Sequence, residues 1–476
     1  MKRHKIFRGF IEFAIVAVVA CCLSGCLALS GSGSSGNTGV TSGAPPPTAG
    51  GTAGPPPVPS TPGPNNGPTG DISAINHIVF MSQENRSFDT YFGHLNDYRA
   101  AQGLPKDVDG MPANASNPAF NGSVVNAFHL KTMCVENTSA DWATSHINFN
   151  RFNETSDTPT MDGFVVQAGA AAMGQGSKDT IGARAMGYYT ADDLPYYYFM
   201  ASQFATSDRW FAPAPTETEA NRLYLVAATS VGHVHRPTQQ VSAKTIFDLL
   251  DIKNISYKIY YMDPHLDTEL DDFSGFMEGH QSKFAPLSQY FTDLQNGALP
   301  QVSYIEPGFT DGNDEHPGLG NDIQDGAAET AKIINALMAS SSWKDSAFVL
   351  VYDEGGGFYD HVPPPTTVPS PDGIPPQDLI TTNPPDPKGD FTRYGFRVPM
   401  LVVSPFTKKN YVSHTVTDST AVLKMIESRF GLPNLNHRDA AGMDMSEFFD
   451  FKNKPWATPP TPPAQPTNGP CTDTLP

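Results

Sequence analysis

The run INHIVFM (75–81) passes through Ser82 into QENRSFD (83–89), and a second run, AFVLVY (347–352), passes directly into DEGGGFYDH (353–361). Continuous apolar runs of this length fit strands covered on both faces. YKIYY (257–261) and VPMLVV (398–403) read the same way. Helical patterns lie between them at 245–250, 328–338 and 419–430, the last with apolar residues at 422, 423, 426 and 430, spaced for one helix face. Strands alternating with helices predict an α/β fold, a mainly parallel central sheet with helices on both faces. In such sheets ligands gather beyond the carboxyl ends of the strands.

Both strand ends carry oxygen-bearing side chains there. Glu84 and Asn85 follow the first run, and Asp353 and Glu354 follow the second, with three glycines that let the backbone bend close to a ligand. Hard divalent cations want clustered oxygen ligands, so these four residues could share one ion. The bland alternative is that they cap helices or face water. A third segment, PTETEANR (215–222), sets threonine hydroxyls beside Asn221 and Arg222. That combination suits phosphoryl transfer, the hydroxyl attacking phosphorus while amide and guanidinium hold its oxygens. Thr-Glu-Thr-Glu is equally good chemistry for starting a helix.

The chain has 476 residues, 39 % of them hydrophobic, with 29 Phe and 17 Tyr, enough for a real core. Its formal charge of −19 speaks against nucleic-acid partners, which need basic surface. The start is basic (Lys2, Arg3, Lys5, Arg8), residues 13–22 are apolar, and Leu23-Ser24-Gly25-Cys26 follows. This pattern predicts a secretory signal over 1–25, shorter in its apolar part than a spanning helix. LSGC resembles the bacterial lipobox, which implies export and a lipid on Cys26 that holds the protein to a membrane, at the outer membrane or cell surface, or else secretion. Residues 26–70 are Gly-, Ser-, Thr- and Pro-rich and predict a disordered tether. The folded body is expected at 71–454, and the Pro-rich tail at 455–476 repeats the character of the tether. Cys134 and Cys471 are free to pair in an oxidising compartment, although nothing in the sequence shows that they approach. No protein partner is implied.

ENRSFDTYFG (84–93), MDGF (161–164), MGYYTADDLPYYY (186–198), SDRWFAPAPTETEANRLYLVAATS (207–230), DEHP (314–317), YDEGGGFYDHVPPP (352–365) and SPF (404–406) occur in that order. Together they resemble the bacterial and plant phosphoesterase family of non-specific phospholipases C and acid phosphatases. The resemblance runs from about residue 74 to 432. It implies an alkaline-phosphatase-like core with a divalent metal beside a Ser or Thr nucleophile. Carried over, Glu84 and Asn85 match one metal-binding pair, Asp353 and Glu354 the other. The nucleophile lies three residues before the Asn of the Asn-Arg pair, which selects Thr218 over Thr216 and makes it a metal ligand too. His316 matches a histidine that contacts the phosphoryl group or protonates the leaving oxygen. Oxygen ligands leave Ca²⁺, Mg²⁺, Mn²⁺ and Zn²⁺ open.

Three positions depart from the family pattern: Ala220 stands where Pro is usual, Gly355 where His is usual, and Ala140-Asp141-Trp142 where His-Ser-Trp is usual. His146 and His361 are the candidates to replace the missing histidines. The expected function is hydrolysis of a phosphate ester or phospholipid. The alternatives are a sulfate or phosphonate ester hydrolase, and a non-catalytic surface lipoprotein on the same fold.

Overall fold

The computed structural model describes residues 71–475 apart from 264–267, 311, 319 and 367–372. The signal segment, Cys26 and the 26–70 tether lie outside the described residues. Eight strands form one sheet: β1 (His77–Gln83), β2 (Ala205–Ser207), β3 (Tyr257–Tyr261), β4 (Phe284–Pro286), β5 (Val302–Glu306), β6 (Ser346–Tyr352), β7 (Met400–Val403) and β8 (Tyr411–Ser413). Their spatial order is β8-β2-β7-β6-β1-β5-β3-β4. All run the same way except β7, which is antiparallel to β6 and β2. The sheet is therefore mainly parallel, as the alternation of strands and helices predicts.

Alternating strand residues sort the helices onto two faces. Phe80 and Tyr304, direct partners across β1 and β5, stack with centroids 4.7 Å apart. Phe247 of the helix Ile246–Ile252 joins that stack from one side. On the opposite face Tyr260 packs edge-on against Tyr290 of the helix Leu287–Gln295, and Gln83 Nε2 donates to the Thr330 hydroxyl of the helix Ile323–Ala339 at 3.3 Å. All five aromatic rings are fully buried. Each contributes on the order of 1.5–3 kcal/mol relative to an exposed ring. Local sequence sets the helix ends: Thr245 and Asp248 form a capping box, and Gly431, at φ 61°, ends the helix Thr420–Phe430.

The tail corrects the expectation drawn from its composition. Trp456 is buried with its ring against Phe204, and Trp343 Nε1 donates to the Trp456 carbonyl. Farther on, the Met133 and Lys131 amides donate to the Pro470 and Leu475 carbonyls, both at 2.8 Å, and Cys134 is disulfide-bonded to Cys471. A Pro-rich segment cannot build a core of its own, but here it borrows backbone donors and a covalent link from the body.

Candidate active site

In β1 and β6, Gln83 stands opposite Tyr352 in parallel register, so the loops that leave the two strands start side by side. Asp353 N–H donates to the Gln83 carbonyl at 3.1 Å, and Asn85 N–H donates to Asp353 Oδ1 at 2.9 Å. Asn85 adopts a left-handed backbone, φ 56°, a conformation asparagine takes more readily than other non-glycine residues. Gly356 makes the close approach of the second loop feasible, because a Cβ there would lie 2.2 Å from the Asn85 carbonyl oxygen. The pairs Glu84-Asn85 and Asp353-Glu354 thus meet at one end of the sheet, and all four are buried.

Thr218 is the first residue of the helix Thr218–Ala227, and Glu217 occupies the cap position without capping it. The Thr218 hydroxyl lies 3.2 Å from Glu84 Oε2 and 3.3 Å from Asn85 Oδ1. The Thr216 hydroxyl is turned away, donating to the Val234 carbonyl. One turn into the helix, Arg222 is surrounded by carboxylates. Its Nη2 is 2.8 Å from Glu84 Oε1, its Nε 3.5 Å from Asp353 Oδ2, and its Nη1 3.7 Å from both Glu269 Oε2 and Glu306 Oε2. Burial drives Glu84 and Glu306 well above the usual carboxylate range, reinforced by the neighbouring charges of Asp353 and Glu269 respectively. Asp314 is pushed up to about 7, mainly by burial. One guanidinium does not balance so many buried acids.

These groups open on a cleft of about 390 Å³, lined among others by Glu84, Asn85, Asp141, Thr218, Arg222, Phe309, His316 and Glu354. The His316 Nδ1 lies 2.7 Å from the Pro317 carbonyl, which fixes the tautomer with the proton on that nitrogen and leaves Nε2 as the acceptor. Burial pulls its pKa below the ordinary histidine value.

Three of the expected site residues lie away from the cleft. Asn221 does not point into the cleft. Its Oδ1 accepts from the Ala214 amide at 2.8 Å and its Nδ2 donates to the Thr216 carbonyl at 2.8 Å, so it shapes the turn before Thr218. His146 tilts against the Trp142 ring one turn away and bonds to the Trp142 carbonyl. His361 sits among Asp89, Asp109 and Arg397. Neither histidine lines the cleft. Arg222 reaches it, but committed to carboxylates rather than free for a ligand's oxygens. Asp89, Asp360 and His361 do bring ligand-type atoms within 4.8 Å of one another. The cationic position there is already filled, since Arg397 Nη2 is 3.0 Å from Asp89 and Nε 2.9 Å from Asp360.

The sequence reading missed Glu269, Glu306 and Glu315. Glu306 carries the signal already used at Glu84 and Asp353, an acid at a strand's carboxyl end, but VSYIE is too short and polar to stand out as a strand.

Residues 75–433 match the model of the Phosphoesterase family. Phospholipase C B of Mycobacterium tuberculosis is 30 % identical over 447 residues, covering 83 % of this chain and 80 % of that protein. Non-specific phospholipase C1 of Arabidopsis thaliana is 31 % identical over 410 residues, covering 80 % and 72 %. Among solved structures, an alkaline phosphatase superfamily protein from Vibrio parahaemolyticus aligns at 12 % identity and a TM-score of 0.33, covering 74 % of this chain and 77 % of that one. A likeness that loose carries no argument. The protein is a hydrolase acting on phosphate esters. It belongs to the Phosphoesterase family.

Proposed function

We propose that this phosphoesterase is exported and lipid-anchored through Cys26, depends on one divalent cation, and cleaves phosphate esters through Thr218 as nucleophile. The observation that carries the reading is the meeting of the Thr218 hydroxyl with Glu84 and Asn85 at a helix start facing the cleft. The donor set suits a hard cation. Glu84 Oε1 and Asp353 Oδ2 are buried and share a single cation, the Arg222 guanidinium, at 2.8 and 3.5 Å, and the nearby oxygens of Asn85, Glu354 and Thr218 complete an all-oxygen group. Such an ion, Ca²⁺, Mg²⁺, Mn²⁺ or Zn²⁺, would supply positive charge that lowers the proton affinity of a hydroxyl and offsets charge on phosphoryl oxygens.

Thr218 Oγ1 attacks phosphorus in line, passing its proton to Glu84 Oε2 as the threonine–phosphorus ester bond forms and the bond to the leaving alcohol breaks; Glu84 returns that proton to Thr218 Oγ1 when water splits the ester. Free N–H groups in the first turn of the Thr218–Ala227 helix favour the negative phosphoryl group placed there. Arg222 holds Glu84 and Asp353 in place, which fixes the direction of the Thr218 hydroxyl. His316, neutral and with Nε2 as acceptor, takes a proton from the water that splits the phosphothreonine. It returns that proton to the leaving oxygen of the next turnover. The disulfide between Cys134 and Cys471 supports an oxidising compartment and hence export.

The names of the relatives favour phospholipase C action over a monoester phosphatase. Hydrolysis of p-nitrophenyl phosphate and p-nitrophenyl phosphorylcholine, with and without EDTA, tests both levels. Turnover of the choline diester, lost on chelation and restored by a divalent ion, is expected. No turnover of either ester with any of the four ions would overturn the proposal. A non-catalytic lipoprotein would then be the reading left.

A further inference from the structure

Directly behind the cleft, on the other side of the loops that form it, lies a carboxylate that the mechanism above does not use. Glu315 is fully buried. Its Oε2 accepts from the hydroxyls of Tyr91 at 2.6 Å and Tyr352 at 2.7 Å, and its Oε1 from Tyr197 at 2.6 Å and Gln83 Nε2 at 3.3 Å. Its carbonyl accepts from both Nε and Nη2 of Arg86, at 3.1 and 2.5 Å. Its backbone is left-handed, φ 67°. Gly326, in the helix behind, has no room for a side chain, since a Cβ there would lie 2.4 Å from Glu315 Cγ.

The neighbours of these partners give the arrangement its meaning. Gln83 precedes Glu84, Arg86 follows Asn85, Tyr352 precedes Asp353, and Glu315 precedes His316. The peptide unit joining Glu315 to His316 is held at both ends, its carbonyl by Arg86 and its N–H by Asp314 Oδ1 at 3.0 Å. The ring's own bond to the Pro317 carbonyl and the Asn321 amide on the His316 carbonyl complete its setting, so where this peptide is pinned sets the point from which the His316 ring projects.

We propose that Glu315, caged by Tyr91, Tyr197 and Tyr352, is a positioning residue that aims His316 across the cleft at the Thr218 side. Hydrogen bonds from hydroxyls to an ionised carboxylate are shorter and stronger than those between two neutral groups, and misplacing a reacting group by about 1 Å can cost a hundredfold in rate. The carboxylate touches no substrate; it acts through the histidine it precedes. The catalytic part of this inference rests on the proposed phosphoesterase mechanism, whereas the placement of the His316 ring does not.

The test uses Glu315→Gln and the milder Tyr197→Phe, which removes one hydroxyl donor, alone and each combined with His316→Ala. Two readings are taken on the full chain. The first is kcat and KM for p-nitrophenyl phosphate or the choline diester, whichever the wild type turns over. The second is the ¹⁵N-resolved Nδ1 proton resonance of His316, assigned by its loss in His316→Ala. Expected are a fall in kcat of about tenfold or more for Glu315→Gln and less for Tyr197→Phe, with KM nearly unchanged, no further fall in the His316→Ala background, and a shifted or exchange-broadened Nδ1 resonance. An unaltered resonance in both variants, or kcat losses that multiply fully with that of His316→Ala, would overturn the positioning role. If Glu315→Gln does not fold, Tyr197→Phe carries the same readings. A wild type inactive on every ester would sink the mechanism while leaving the resonance to decide on the ring.

Discussion

The Thr218 hydroxyl and Glu84 Oε2 lie 3.2 Å apart although 134 positions separate them in the chain. The first comes from the start of a helix and the second from the end of a central strand, so only the finished sheet brings them together. A hydroxyl donating to a buried carboxylate is already oriented and partly relieved of its proton, which is what a threonine needs to act on phosphorus.

Glu84 is the point at which the hydroxyl, Arg222 and the acid pair of the neighbouring strand converge. Removing its charge by Glu84→Gln should abolish the rise in melting temperature that a saturating divalent ion gives the wild type, because an ion that binds only the folded state stabilises it in proportion to occupancy. Ester turnover should fall by at least about a hundredfold. Differential scanning calorimetry with and without added ion reads the first effect. An undiminished ion-dependent shift in Glu84→Gln would remove this residue from the cation site.

His235 bridges Glu217, the residue just before the Thr218 helix, at 3.2 Å and Asp386 at 2.8 Å. The hydrogen bond with Glu217 raises its pKa to about 9, against the opposing effect of burial. A pKa raised on folding means stability that is fully present below the unfolded value, near 6.5, and lost as pH climbs through about 9. The wild-type melting temperature should therefore drop across that window, and His235→Gln should be lower at pH 6 with a flatter profile. Thermal melts at a series of pH values check this; parallel profiles for the two proteins would contradict it.

Cutting the covalent link of the tail should release it. Cys134→Ser or Cys471→Ser is expected to destabilise the fold by about 2–4 kcal/mol. Amide exchange should rise first at Met133 and Lys131, whose N–H groups donate to Pro470 and Leu475. Hydrogen-exchange mass spectrometry would detect it. Unchanged protection at both amides would show that the tail stays in place without the disulfide.

Much of the fold is legible in the sequence because apolar runs of strand length are local. The runs at 75–81, 257–261, 347–352 and 398–403 each supply a strand of the sheet. Strand direction is not local, and nothing in VPMLVV says that its strand runs against its neighbours. The acids at Glu84 and Asp353 stand out because each ends such a run. The cage around Glu315 was hidden in plain sequence. Tyr91, Tyr197 and Tyr352 lie in three separate motifs that carry the family resemblance, yet only folding turns their hydroxyls onto one carboxylate. His146 and His361 lie outside the cleft for the opposite reason: each is held by a neighbour the sequence does not point to, Trp142 and Asp89.

The central claim, that Thr218 is the nucleophile, is tested most directly by kcat/KM of Thr218→Val on the best ester substrate, measured beside a thermal melt. The account predicts a loss of at least about a thousandfold in a variant that still folds. A folded Thr218→Val that retains activity within about tenfold of the wild type would contradict it.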